Sequence, residues 1–328
     1  MKNQSKRLGQ VFLKDNNILD KIVNYADLDS QDKVIEIGCG EGDLTYRLAE
    51  KVSLVLVVEI DSRCIESTVN RLLESDVGYV LESRRNVEGI GCSCVELVSE
   101  SLNKRVLFFL IDFLKVSLKD LLEFSVSANL RIEKNCDAKI VANVPYYISA
   151  KIVQKLSKEK TCFQFAVLMF QKEFGEKLKA APGEKIYTSL TVFSRYHFLV
   201  DYGFDVSRRS FFPVPKVDSC VIKFTPRFWS MDNDGFKIDT LENNDKHSDS
   251  DINEKLLFNI VQTAFWARRK TFMKCLKTSP FYDFSNDLVV GLPFFKGRES
   301  IRGEKLGLSD FFEVYRQLVK GMAGNISL

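Results

Sequence analysis

A chain of 328 residues with 45% hydrophobic content is long enough for one large core and a smaller second domain, and its formal net charge of +3 argues only weakly for an acidic partner. The eight scattered cysteines, the one-residue spacer of Cys92-Ser93-Cys94 and the presence of only His197 and His247 argue against a disulfide framework, a zinc site or a histidine-based triad. No long apolar stretch follows the basic N-terminus, so no signal peptide and no membrane span are expected, and the chain reads as cytoplasmic.

In chain order, residues 1–14 carry Lys2, Lys6, Arg7 and Lys14 without an acid. Lys33–Ile37 is a short apolar-rich strand, followed by Gly38-Cys39-Gly40-Glu41-Gly42 and a helical pattern with Asp43 as its expected N-cap. Ser53–Ile60 is a near-continuous apolar run, suited to a strand buried on both faces, and Asp61 opens a helix to about Leu73. Val106–Ile111, Ala138–Ala142 and Phe163–Phe170 are further buried strands. Strands alternating with helices predict an α/β doubly wound sheet. His197–Val206 and Ser219–Phe224 then predict an antiparallel hairpin closing its edge. Residues 76–104 and 117–137 look inserted and carry no clear element. Residues 230–254 hold eight acids against Lys237 and Lys246, the composition of a linker or loop. Helical patterns follow at Lys255–Lys277, Asp287–Leu292 and Ser309–Met322. Three parts are therefore expected: a domain over 1–229, an acidic linker over 230–254 and a helical domain over 255–328.

The stretch Asn143-Val144-Pro145-Tyr146 sits where the run Ala138–Ala142 ends. The Asn143 side-chain oxygen and the carbonyl of Val144 or Pro145 can accept the hydrogens of an exocyclic amine while Tyr146 stacks on the ring that bears it. Adenine N6 is such an amine. Read without this chemistry, the stretch is a strand followed by a turn. Gly38-x-Gly40-x-Gly42 after a strand, with Glu59 at the end of the next, suits either a dinucleotide or S-adenosylmethionine. The spacing lacks the G-x-G-x-x-G suited to a pyrophosphate, and Glu36 suits a methionine ammonium group better than a phosphate; both details favour the methyl donor. Asp112 ends the third strand, where it either accepts from an adenine amino group or serves as a turn residue.

Several segments in order carry a resemblance: Lys6-Arg7-Leu8-Gly9-Gln10-Val11-Phe12-Leu13, Val34–Gly40, Val57–Asp61, Ile111-Asp112, Asn143–Ser149, Phe211–Ser219 and Ala264–Thr271. Together they resemble the ribosomal RNA adenine N6,N6-dimethyltransferases, the KsgA family of class I methyltransferases, over most of the chain. The resemblance implies a Rossmann-like seven-stranded methyltransferase sheet with a small all-helical C-terminal domain that docks RNA. It implies that Gln10, Leu13, Gly38, Glu59, Asp112 and Asn143 line the S-adenosylmethionine pocket, joined here by Gly40 and by the backbone at Val11, where the family usually has Asn. Catalysis falls to Asn143, Pro145 and Tyr146, with Phe211 either covering the other face of the base or packing in the core. The implied reaction is N6,N6-dimethylation of two adjacent adenosines in the 3′-terminal hairpin loop of 16S rRNA in the 30S subunit, during ribosome biogenesis. Arg208, Arg209 and Lys216, with Arg268, Arg269 and Lys270, are the expected RNA phosphate contacts. Two rivals share the motifs: a 23S rRNA adenine-N6 methyltransferase of the resistance type, and a non-catalytic nucleic-acid-binding relative. A nicotinamide oxidoreductase is a distant fourth. Nothing predicts a stable oligomer, so a monomer is expected, and no metal.

Overall fold

The computed structural model describes residues 11–87, 89–127, 138–232, 235–239 and 252–324. The chain packs into two compact units, Met1–Gly175 with Val200–Pro226, and Glu176–Leu199 with Arg227–Leu328.

The first unit begins with the two-residue strand β1 (Phe12–Leu13) and helix α1 (Asn16–Ala26), capped by Asp15, whose carboxylate accepts the backbone N–H groups of Asn17 and Ile18. Strand β2 (Lys33–Ile37), helix α2 (Asp43–Lys51), strand β3 (Leu54–Glu59) and helix α3 (Ser62–Leu73) follow. Every residue of β3 is buried, as its unbroken apolar run requires. Gly42, not Asp43, is the N-cap of α2; its φ of 80° leaves Asp43 in the first helical turn. Next come β4 (Val80–Val87), β5 (Cys92–Ser99), β6 (Lys104–Leu110), α4 (Leu118–Ser127), β7 (Ala138–Asn143), α5 (Ser149–Lys158), β8 (Phe163–Gln171) and α6 (Lys172–Lys179). The order continues with α7 (Ser189–His197), β9 (Phe198–Val206), β10 (Phe211–Phe212) and β11 (Ser219–Pro226).

Nine strands form one sheet in the order β4-β5-β6-β3-β2-β7-β8-β11-β9. The five central strands β6, β3, β2, β7 and β8 are parallel, and β11 runs antiparallel to β8. The seven expected strands are present. The two extra ones, β4 and β5, come from the stretch 76–104: a hairpin pairing antiparallel onto β6. Glu96 on β5 ties this extension together, since its carboxylate meets Arg85 on β4 at 3.2 Å and Arg105 on β6 at 2.9 Å. The chain winds outward from β2 through β3 to β6, then resumes on the other side of β2 with β7. The C-terminal ends of β2 and β7 therefore part at a topological switch point, the usual place for a ligand crevice in such a sheet.

The second unit holds α7, the hairpin β12 (Phe228–Asp232) and β13 (Gly235–Asp239), and helices α8 (Glu254–Trp266), α9 (Phe272–Lys277), α10 (Asn286–Val290) and α11 (Leu308–Gly324). Its core includes Tyr196, Leu257, Ile260, Phe272, Phe295 and Phe311. The C-terminal region is helical, as expected, but the unit reaches beyond residues 255–328 in two ways. Residues 176–199 belong to it, because Tyr187, Val192 and Tyr196 pack into this core. Part of the supposed acidic linker forms the β12–β13 hairpin. The acids there mask apolar neighbours: Trp229 is buried with its indole N–H donating to the Tyr196 carbonyl at 2.6 Å, and Phe236 stacks on Phe312 at 3.8 Å. Residues 240–251 of that stretch lie outside the described residues. The pattern Lys255–Lys277 is two helices, not one, and Thr271 caps the second.

Candidate active site

One pocket opens at the switch point, and the sequence motifs meet in it. Val11 with Phe12 and Leu13 of β1, Glu36 from β2, Gly38 to Glu41 from the turn, Glu59 at the end of β3 with Ile60 after it, and Asn143 at the end of β7 with Val144 to Tyr147 after it all line it. The turn after β2 can be this tight because Gly38, Gly40 and Gly42 all have positive φ. At Gly40 a Cβ would stand 3.0 Å from the Phe12 ring, and at Gly42 one would stand 2.7 Å from Thr68. Bare backbone is thus required here on two counts.

Two acids line the pocket beside this turn. Glu59 is buried and its Oε1 accepts the backbone N–H groups of Ile60 at 2.7 Å and Asp61 at 2.9 Å. Its other oxygen lies 3.5 Å from the Gly40 nitrogen. Glu36 is 1% exposed, and its Oε2 is buried without a hydrogen-bond partner. Burial, reinforced by the charge of Glu59 and only partly opposed by the Thr45 hydroxyl, pushes its carboxyl up to about 8. A buried carboxyl oxygen without a partner beside a glycine turn marks Glu36 as a candidate ligand contact.

On the acceptor side Asn143 ends β7, and Tyr146 and Tyr147 lie in the short 3-10 turn Tyr146–Ile148. The Tyr146 hydroxyl is 2.7 Å from the Ser219 hydroxyl, which fixes the ring from β11. Burial raises the Tyr146 phenol to about 12, so it stays neutral.

Two expected site residues are placed elsewhere. Asp112 is not among the residues lining the pocket; its carboxylate accepts the backbone N–H of Leu114 at 3.0 Å and closes the turn after β6. Phe211 is 3% exposed and packs in the core opposite Leu13, with which β10 pairs it. Gln10, with Lys2, Lys6 and Arg7, lies outside the described residues. Among the expected RNA contacts, Arg208, Arg209 and Lys216 are exposed on the first unit. Arg208 also donates to the Lys216 carbonyl at 3.1 Å. On the second unit Arg269 and Lys270 are exposed, whereas Arg268 is engaged with Glu304 at 2.8 Å and with the Lys185 carbonyl. Sequence reasoning missed Phe12, Ile60 and Tyr147 as pocket residues. Tyr147 was visible beside Tyr146; Phe12 became informative only through its contact with Gly40. Among the described residues no cluster of His, Cys, Asp and Glu is arranged to hold a metal, and no helix is long and apolar enough to cross a membrane.

A mostly parallel sheet with a glycine turn, a strand-end acid and an Asn-Val-Pro-Tyr edge in one crevice is the layout of an α/β enzyme with its pocket at the carboxyl ends of the strands. The family model "Ribosomal RNA adenine dimethylase" matches residues 1–81 and 95–241. Ribosomal RNA small subunit methyltransferase A of Clostridium acetobutylicum is 33% identical over 319 residues, covering 95% of this chain and 94% of the relative. Its namesake from Streptococcus thermophilus is 34% identical, covering 93% and 89%. Among solved structures, a dimethyladenosine transferase from Plasmodium falciparum superposes with a TM-score of 0.66 at 25% identity over 94% of this chain and 98% of that one. The 23S rRNA methyltransferase ErmE shares the fold, with a TM-score of 0.60 at 20% identity over 94% and 99%. This chain belongs to the ribosomal RNA adenine dimethylase family. It is an rRNA adenine dimethyltransferase.

Proposed function

We propose that the protein transfers methyl groups from S-adenosylmethionine to N6 of two adjacent adenosines in the 3′-terminal hairpin loop of small-subunit rRNA, acting as a cytoplasmic monomer on the 30S particle or its precursor. The observation that carries this reading is the single pocket shared by the Gly38–Gly42 turn, Glu36, Glu59 and the Asn143–Tyr146 edge. Its residues fit the donor. Glu59 has the oxygen to accept from a ribose diol, Glu36 has an unpartnered oxygen for an ammonium group, and the glycines keep side chains out of the cradle. When bound, S-adenosylmethionine supplies a methyl group on a positively charged sulfur. Leu13 and Val11 give the pocket an apolar wall.

The chain's own contribution is positional. The Asn143 side-chain oxygen and the Val144 or Pro145 carbonyl accept the N6 hydrogens, which holds the nitrogen in place and draws it away from planarity. Tyr146, steadied by Ser219 and neutral, offers a ring to stack on and no base. The monomethylated amine still carries one hydrogen for the same acceptors, so a second transfer needs only room beside the first methyl group. No strong acid or base is required, which accords with the scarcity of histidine.

The test is methyl transfer from labelled S-adenosylmethionine to 30S particles lacking the modification, with 50S particles in parallel. Dimethyladenosine at adjacent positions on 30S alone is expected. Asn143→Ala should lower kcat by about 10²–10³-fold, the usual cost of one preorganised group at a reacting centre. Label confined to large-subunit RNA would overturn the substrate reading.

A further inference from the structure

The large apolar side chains most open to solvent among the described residues are Phe212, 70% exposed, and Tyr147, 67% exposed, followed by Val214 at 60%. All three belong to the rim of one pocket or to the loop that adjoins it. Tyr147 lines the pocket directly. Phe212 pairs across strands with Phe12, another lining residue, and Val214 is two residues further along the same loop. Cross-strand partners share a face of their ladder. Phe212 and Phe12 therefore share one face, while Leu13 and the buried Phe211 share the other. Exposed cations Arg208, Arg209 and Lys216 flank these rings on the same loop.

We infer that Phe212 and Tyr147 form a two-ring stacking platform for the RNA bases on either side of the target adenosine. The inference rests on the RNA reading above and extends it to Tyr147 at the pocket's rim and to Phe212 outside its lining. Extruding an adenosine breaks the stack on both of its faces, and the flanking bases need new surfaces. Exposed aromatic rings interleaved with cations are how proteins hold single-stranded nucleic acid, with ring faces on bases and cations on phosphates. Tyr146 does not serve here, because its phenol is held inward by Ser219. Phe211 does not serve either, because its ring is in the core. The occupant is RNA because the rings adjoin an rRNA-modifying site and the charge beside them is positive.

The experiment measures kcat and KM on unmodified small-subunit particles for wild type, Phe212→Ala, Tyr147→Ala and Phe212→Trp, with donor affinity by calorimetry. Each alanine should raise KM for RNA about tenfold, the size of one base–ring stack. Donor affinity should be unchanged in Phe212→Ala, whose ring lies outside the pocket lining, and in both alanine variants the slope of log affinity against log salt should be unchanged, because a ring neutralises no phosphate. Phe212→Trp should keep the wild-type KM. Alanine variants with wild-type KM would overturn the platform, and so would a loss of donor affinity in Phe212→Ala, which marks a structural role. A wild type that labels only large-subunit RNA would overturn the substrate reading instead, and the ratio of variant to wild-type KM on that RNA would still decide the stacking.

Discussion

At the scale of single residues, Glu36 is the buried acid whose protonation is altered near neutral pH. Its folded value near 8 stands above the ordinary carboxylate value, so between pH 4.5 and about 8 the folded protein holds a proton that the unfolded chain releases. Stability from this group is full below pH 4.5 and is lost as pH rises through about 8. The loss is on the order of a few kcal/mol for the donor-free protein. Glu36→Gln should flatten that decline in urea melts at pH 5 and 8. A donor ammonium placed against this acid favours its ionised form. Donor binding at pH 7 should therefore release a proton, read by calorimetry in buffers of different ionisation enthalpy, and Glu36→Gln should abolish the release. The acid's position near the end of β2 was legible in the sequence; its missing partner was not, because burial and orphaned oxygens arise from packing. The Phe211-Phe212 pair shows the same limit. The motif marks both rings, but only the pairing of β10 with β1 decides which one is inward.

At the scale of elements, the parallel strands were readable because each is a short apolar run bounded by turn residues. The β4–β5 hairpin was not. Seven of the eight residues of β4 are partly or fully exposed, so it has no buried face to produce a period. Such a strand is typical of a sheet edge kept from further pairing by charge, here Glu82, Arg84 and Arg85. The hairpin is held through Glu96, which bridges Arg85 and Arg105. Those arginines are partly exposed, so the pairs are screened and Glu96→Ala should cost only about 1–3 kcal/mol, mostly from two cations left without a partner. The expected readout is a midpoint lower by several degrees in thermal melts, with kcat on rRNA unchanged.

At the scale of the whole molecule, the basic clusters of the sequence divide by use. Arg268 is spent on Glu304 and the Lys185 carbonyl inside the second unit, while Arg269 and Lys270 stay exposed, with the Lys270 ammonium over the Trp266 ring. Replacing Arg269 and Lys270 together by Ala should flatten the salt slope for RNA binding by about 1.4, roughly 0.7 for each phosphate no longer neutralised, without lowering the melting temperature. Arg268→Ala should do the reverse. A linear charge count gives the three residues equal weight; only the fold separates a structural cation from two available ones. The same holds for domain boundaries. The sequence places residues 176–199 with the strands they follow, but α7 buries its apolar face in the second core.

The short pairing of β1 with β10 joins two tasks. Residues 11–13 wall the pocket at the switch point, and the strand opposite leads into the loop with the exposed rings and cations. Further bonds join the same segments: the Lys14 amide donates to the Ser210 carbonyl at 2.8 Å, and the Ser210 hydroxyl donates to Asp15 at 3.0 Å. A ligand that steadies either segment steadies the other. If cofactor and nucleic acid bind on the two sides as proposed, the first to arrive should favour the second by a factor that is the same in either order, read by calorimetry of each in the presence of the other.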